Sequence, residues 1–255
     1  MAVPGRKVPA GAPPDLAGTE LFSVDAYLRA FDATVDQVDR DSGRVALRRT
    51  AFYPGGGGQP FDQGTLRWDG GEASVVRVGR DQGRIWHWLE TDELPGTGSE
   101  VHGELDWERR HLTMRTHTAL HILCGVMWAD HRVAVTGGNM DPGKGRLDLP
   151  LPSISAEFGR QVEARINEEI AAAHEILVAF VGREVADEDH ALIRTAANLI
   201  PREIDPLRVI DIVGLDKQAD GGTHVLSTAE VGRVVVTGTE SKGKGNKRVR
   251  ISVTG

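Results

Sequence analysis

DWERRHLTMRTHTALHILCGVMWA, residues 106–129, is the stretch on which the reading of the fold turns. Ahead of it the chain is strand-like; from Trp107 onward it becomes helical. Leu112, Met114, Leu120, Ile122, Leu123 and Met127 are apolar at intervals that suit a mostly buried helix. Upstream, VALRRTAFYP (45–54), GTLRWDG (64–70), ASVVRVGR (73–80) and GRIWHWLE (83–90) are short, rich in β-branched and aromatic residues, and separated by turn formers. This spacing predicts a small barrel or meander of antiparallel strands. DAYLRAFDATV (25–35) predicts a short helix leading into a strand. Downstream, residues 155–175 keep Phe158, Val162, Ile166, Ile170 and Ala173 at helical spacing, with Ser155 placed to cap the start. ILVAFVGREV (176–185), LRVIDIVGLD (207–216), AEVGRVVVTGTE (229–240) and RVRISVT (248–254) read as strands, and EDHALIRTA (188–196) as a short helix. The expected fold class is therefore α+β. A small β-barrel-like domain over 21–106 precedes an α+β domain over 107–255, in which strands pack on long helices. Residues 1–20, rich in Pro, Gly and Ala, are expected to be a flexible tail.

Composition narrows the function classes. Hydrophobic residues make up 40% and charged residues 26% of the 255 residues, which suits a soluble globular protein. No apolar run is long enough to cross a bilayer, and the N-terminus lacks the apolar core of a secretory signal. A cytoplasmic location is expected, and the single cysteine, Cys124, cannot form an internal disulfide. A net charge of −7 argues against a protein that coats nucleic acid through bulk charge, and no DNA partner is expected. Local basic groups remain. Lys242, Lys244, Lys247, Arg248 and Arg250 fall in ESKGKGNKRVRISV (240–253), and Arg109, Arg110, His111 and Arg115 stand just ahead of the histidine pair.

That pair, His117 and His121, is four residues apart, so both imidazoles lie on one helix face and can reach one point in space. The spacing alone is a weak signal, since packing accounts for most such pairs. Far downstream lies DGGTH (220–224), where two glycines allow a tight turn between two potential ligands, Asp220 and His224. Read alone, the segment is also an ordinary turn between strands. Three histidines and a carboxylate suit Zn²⁺, and also Fe²⁺, Mn²⁺ or Co²⁺. The other unusual feature is FYPGGGGQP (52–60). Four consecutive glycines lose much backbone entropy on ordering, which suggests either close approach of the main chain to a ligand or a mobile hairpin tip. No Gly-Lys-Ser/Thr follows, so it is not a nucleotide-hydrolase phosphate loop.

Taken in order, FDATV (31–35), TAFYPGGGGQPFDQGTL (50–66), DWERRHLTMRTHTALHIL (106–123), VGLDKQADGGTHVLSTAEVG (213–232) and ESKGKGNKRVRI (240–251) closely resemble the AlaX alanyl-tRNA editing proteins. These are free-standing relatives of the editing domain of alanyl-tRNA synthetase, and the resemblance covers residues 20–255. Threonyl-tRNA synthetase editing domains share the histidine theme, but the FYPxGGGQ loop and the ESKGKG segment favour AlaX. The resemblance implies an α+β editing domain and a zinc site of the form HxxxH…CxxxH. His117, His121 and His224 match it, while the family's cysteine falls at Asp220. Asp220 either ligates through oxygen, giving a harder site, or points away and leaves an open position. Gln218 is a weaker stand-in, and Cys124 reads as a small buried residue. The resemblance also places Gly56, Gly57, Gly58 and Gln59 beside the 3′ end of the tRNA.

The implied reaction is metal-dependent deacylation of serine, and in second place glycine, from the tRNA for alanine. One divalent ion per chain and a monomer are expected. Thr116, Thr118 and Thr223 flank the ligands and offer hydroxyls for a substrate side chain, or serve local hydrogen bonding. Arg109, Arg110, Arg115, Lys242, Lys244, Lys247 and Arg248 are the expected phosphate contacts. No separate general base stands out. Two other readings compete: a non-catalytic RNA-binding module that keeps the fold, and a metallohydrolase acting on another ester.

Overall fold

The computed structural model describes residues 8–188, 192, 202, 204–243 and 245–255. They form two compact units, Met1–Gly56 with Pro60–His111, and Gly57–Gln59 with Leu112–Gly255.

The first unit begins with two short helices, α1 (Pro14–Thr19) and α2 (Leu21–Val24). The segment expected to be a tail therefore carries structure at its end, where Thr50 N–H donates to Thr19 O at 2.8 Å. Six strands follow: β1 (Ala30–Asp39), β2 (Arg44–Leu47), β3 (Gly64–Trp68), β4 (Gly71–Asp81), β5 (Arg84–Leu89) and β6 (Glu100–Leu105). They close into a barrel in the order β1-β2-β5-β4-β3-β6, with every neighbour antiparallel. Closure leaves no unpaired edge, so a sheet of this size needs no second layer. Its interior is filled by Phe31, Val35, Phe52, Leu66, Val75 and Val101, all buried. The helix expected at Asp25 lies instead at Leu21–Val24, and β1 starts directly at Ala30. EVHGEL forms β6 although its glycine and charges give no strand signal, and its burial alternates strictly.

The loop between β2 and β3 holds FYPGGGGQP. Gly55, Gly56, Gly57 and Gly58 all adopt positive φ, at 80°, 133°, 58° and 90°, a run that only glycine sustains without strain. The base of the loop is fixed by Asp62, whose Oδ2 accepts from Tyr53 N at 2.6 Å. The Arg110 guanidinium grips both Asp62 oxygens and donates to Ala26 O at 2.9 Å and Ala51 O at 2.5 Å. Arg110 is fully buried in doing so.

The second unit contains most of α3 (Trp107–His131), then β7 (Gly137–Asp141), β8 (Lys144–Leu149), α4 (Ala156–Ala171), β9 (Ile176–Val181), α5 (Arg183–Glu188), β10 (Leu207–Ile212), β11 (Asp216–Ala219), a 3-10 turn at Thr228–Val231, β12 (Arg233–Ser241) and β13 (Lys247–Thr254). The strands form a sheet β11-β10-β9 and a sheet β12-β13-β8-β7. Ser155 caps α4 by accepting from Phe158 N at 3.0 Å. The Val162, Ile166 and Ile170 stripe of α4 is buried, and Asn167 bonds both the N–H and the C=O of Val234 on β12. The expected strand 176–185 ends at Val181. Gly182 follows, and Asp205 Oδ1 accepts from Arg183 N at 2.8 Å, so α5 begins there. The strand expected from 229 starts only at Arg233, because Ser227 caps the 3-10 turn by accepting from Ala229 N at 3.3 Å. Most of the helix expected over 188–196 lies outside the described residues.

α3 shows no single apolar stripe. Met114, Leu123 and Met127 are fully buried, but so are Thr116 and Thr118, with His117 and His121 nearly so. A helix enclosed all round that still carries polar side chains must satisfy each of them internally. No described helix is long and apolar enough to cross a membrane.

Candidate metal centre

One turn of α3 and the turn after β11 build the site. His117 and His121 project from the same face of α3, and DGGTH brings Asp220 and His224 to them. One ligand atom from each of the four residues lies within 4.8 Å of all the others. The Nε2 atoms of His117, His121 and His224 stand 3.6, 3.9 and 3.2 Å from the Asp220 carboxylate. Among the described residues this is the only such group, and half-buried Cys124 is not part of it.

Each histidine is gripped from behind at Nδ1 by a different partner. His117 Nδ1–H donates to Gln59 Oε1 at 2.9 Å. The amide orientation is fixed because Thr223 N–H donates to the same oxygen at 2.9 Å, while Gln59 Nε2 donates to Thr223 Oγ1 at 3.0 Å. His121 Nδ1 meets Asp216 Oδ2 at 3.2 Å, and Gln218 Nε2 donates to that same carboxylate at 2.6 Å. His224 Nδ1 meets Thr118 Oγ1 at 3.2 Å. With Nδ1 engaged, the three Nε2 atoms face the Asp220 carboxylate together, the arrangement that orients imidazole ligands on a metal.

The turn itself is held by Arg208, a buried cation on β10 whose guanidinium donates to Asp220 O at 2.9 Å and Gly222 O at 2.7 Å. Asp220 Oδ1 also accepts from Gly222 N at 2.7 Å. A Cβ at Gly222 would lie 2.5 Å from both Gln59 Oε1 and His117 Cε1, so only glycine lets the turn approach this closely. At Gly221 the same Cβ would meet nothing.

The electrostatics favour a cation at the centre. Burial, helped by neighbouring His121 and Arg208, pushes His117 down to about 4 against the pull of Asp220. Burial and the facing His117 hold His224 well below the ordinary histidine range. At His121 burial also works against charge, but the bond to Asp216 and the charges of Asp220 and Asp216 outweigh it and raise it. Burial alone would raise Asp220, but the three histidines outweigh it and hold the carboxyl well below the usual range. Two neutral imidazoles and an ionised carboxylate make a donor set that fits a divalent transition ion. The cluster can bind such a metal.

The remaining expected site residues divide sharply. Thr116 is turned to structure: its hydroxyl donates to Leu112 O at 2.7 Å and accepts from Gly143 N at 2.8 Å. Thr118 Oγ1 meets His224 directly, whereas Thr223 bonds Gln59 instead, through its N–H and its hydroxyl oxygen, and so acts on His117 through that amide. Gly56 O accepts from Tyr53 OH at 3.2 Å, and Gly58 O accepts from Met140 N at 3.2 Å. A Cβ at Gly57 would meet nothing within 4 Å. Arg110, expected among the phosphate contacts, is instead buried in the Asp62 pair. Arg115 likewise donates to Val231 O at 3.0 Å and Gly255 O at 2.6 Å. Arg109 donates to Phe61 O at 3.3 Å. Lys247 is buried and donates to Gly243 O at 3.0 Å, and Arg248 is paired with Asp148 at 2.6 Å. Lys242 is exposed, and Lys244 lies outside the described residues. Asp216 and Arg208 are members of the site that sequence reasoning misses. The signal for Arg208 is a charge inside the apolar run LRVIDI; nothing in the spacing singles out Asp216.

Residues 23–109 match the family described as tRNA synthetases class II (A), and residues 207–250 match the threonyl and alanyl tRNA synthetase second additional domain. The chain is 34% identical over 240 residues to the alanyl-tRNA editing protein AlaX-M of Methanosarcina mazei, covering 91% of this chain and 95% of that protein. It is 36% identical to AlaX-M of Saccharolobus solfataricus over 236 residues, covering 92% and 98%. It is also 36% identical to the alanine–tRNA ligase of Pyrococcus furiosus over 239 residues, covering 92% of this chain and 26% of the ligase.

Proposed function

The chain belongs to the AlaX family of alanyl-tRNA editing proteins, and from that premise we propose that it hydrolyses the ester linking serine, and in second place glycine, to the tRNA for alanine. The observation that carries this reading is the convergence of three Nε2 atoms on Asp220, each imidazole held from behind by its own partner. His117, His121, His224 and Asp220 would hold one divalent ion, Zn²⁺ first, with oxygen in place of the family's sulfur making the site harder. When bound, the ion supplies Lewis acidity and positive charge to an ester carbonyl.

The chain's own residues do the rest. Gln59, Asp216 and Thr118 engage Nδ1 and so hold each ring with Nε2 turned toward Asp220. Burial of all three histidines strengthens charge interactions in the site. The need for such a site is chemical. Serine differs from alanine by one hydroxyl and glycine by one methyl, and a synthetic pocket discriminates such analogues by only about 1–3 kcal/mol. A second, hydrolytic site acting on the released aminoacyl-tRNA in the cytoplasm is the remedy. The test is hydrolysis of serine-charged tRNA for alanine by the purified protein, with metal analysis alongside. Rapid deacylation that is lost on chelation and in His117→Ala is expected; equal rates for wild type and variant would overturn the metal-site reading.

A further inference from the structure

The solvent face of the sheet β12-β13-β8-β7 carries a groove of about 430 Å³ that none of the site residues above occupies. It is lined by Lys144 and Arg146 of β8, Arg250 and Ser252 of β13, and Thr237 of β12. Arg146 and Arg250 are direct cross-strand partners, so two guanidinium groups stand side by side on one face. Like charges placed opposite each other destabilise a sheet unless something neutralises them. The internal counter-charge is thin. Arg146 and Arg248 share a single carboxylate, Asp148, while Arg250 leans on Glu240 at the strand end. Asp141, the cross-strand partner of Lys144, also lines the groove, but no ion pair joins the two among the described residues. Thr237 sits at a bulge in β12, between Val236 and Gly238, and bulges re-aim side chains at binding surfaces. The lining carries three cations, Lys144, Arg146 and Arg250, against one carboxylate, Asp141, so in a chain of net charge −7 this face is locally basic, and it offers hydroxyls beside its cations.

We infer that this groove binds the phosphodiester backbone of an RNA strand, with Lys144, Arg146 and Arg250 neutralising successive phosphates and Thr237 and Ser252 donating to their oxygens. The inference rests on the tRNA reading above and gives it a track of contacts. One backbone hydrogen bond links the groove to the residue before Gln59. Met140 lines the groove, and Met140 N–H donates to Gly58 O, one residue from the Gln59 that holds His117. RNA seated there would lie against the strand that braces the glycine segment.

The experiment measures binding of uncharged tRNA for alanine to the full chain between about 50 and about 300 mM salt. The variants are Lys144→Ala, Arg146→Gln and, as a control of equal charge change on the exposed face of α4, Arg160→Ala. Lys144 is exposed and makes no ion pair among the described residues, so its variant keeps the fold. Each groove variant is expected to weaken binding about threefold or more at about 0.1 M salt and to lower the salt slope by roughly 0.7–0.9, with Arg160→Ala unchanged. Wild-type affinity and slope in both groove variants would overturn the inference and leave the groove to an acidic peptide or a second copy of the chain. So would a wild-type protein that binds no tRNA. Because uncharged tRNA is the probe, loss of the deacylation reading alone leaves this result standing, and failure here leaves deacylation to its own assay.

Discussion

Gln59 Oε1 accepts from His117 Nδ1 at 2.9 Å and from Thr223 N at the same distance, so one side-chain amide fixes both halves of the candidate metal centre. Gln59 is therefore a positioning residue, occupied at both of its polar atoms. Gln59→Ala removes the acceptor behind His117. Metal affinity is expected to fall about 10–100-fold, as for other lost partners of ligand histidines. Gln59→Glu keeps an acceptor and should stay within a few-fold of wild type. Competition with a chromophoric chelator measures both, and an unaltered affinity in Gln59→Ala would sink the assignment.

Gly221 and Gly222 are adjacent and chemically identical, yet their surroundings differ. Gly222→Ala drives a methyl into Gln59 and the His117 ring and is expected to cost about 1–3 kcal/mol, with loss of tight metal binding. Gly221→Ala meets open space and should remain near wild type in both respects. Urea unfolding and metal titration of the pair decide it; equal behaviour of the two variants would contradict the close approach.

Arg110 and Asp62 form a buried pair that also binds two backbone carbonyls and one backbone N–H. Removing one partner leaves an uncompensated buried charge, so Arg110→Ala and Asp62→Ala should each destabilise by roughly 3–5 kcal/mol. The double variant should be much less than additive. Additive costs would show that the two side chains act separately.

His87, buried in the barrel, is a pH-dependent element of stability. Burial depresses it to about 4, while its bond to Val45 O pulls modestly the other way. Nδ1–H donates to Val45 O at 3.2 Å, and Nε2 accepts from Thr50 Oγ1 at 2.9 Å. The folded state therefore favours the neutral ring. Between pH 6.5 and about 4 the unfolded chain binds the extra proton, so stability falls as pH drops through that window. The group's share is about 3 kcal/mol. In His87→Gln the unfolding free energy should change with pH less steeply across this window. A slope equal to wild type would show that His87 does not titrate as described.

Much of the fold was legible because hydrophobic pattern and turn chemistry agree. The four barrel strands from Arg44 to Leu89 and helix α4, with its Ser155 cap and its stripe to Ile170, follow from local sequence. β6, β7 and β8 did not, because EVHGEL and GGNMDPGKGRLDL are rich in glycine and charge. β6 and β8 are held by strands far along the chain rather than by propensity, and β7 pairs only with the adjacent β8. The four residues that meet at the candidate metal centre were named from residue type and spacing together with the family resemblance, and the fold brings them together. The supporting layer was not legible. Asp216 and Arg208 acquire their roles only through where the β10–β11 hairpin carries them. The basic clusters misled for a related reason: charge in sequence does not say which cations already hold a carbonyl or a carboxylate, as Arg110 and Arg115 do.

Gln59 and Thr223 are separated by 164 residues, and His117 stands between them in the chain. During synthesis the first histidine pair emerges about a hundred residues before His224, so an ion arriving at that stage would meet only two of the four residues. Selectivity at that stage is only that of two imidazoles on a helix, where copper outcompetes zinc. Only when the DGGTH turn joins the helix would the centre select an ion by the geometry of all four residues.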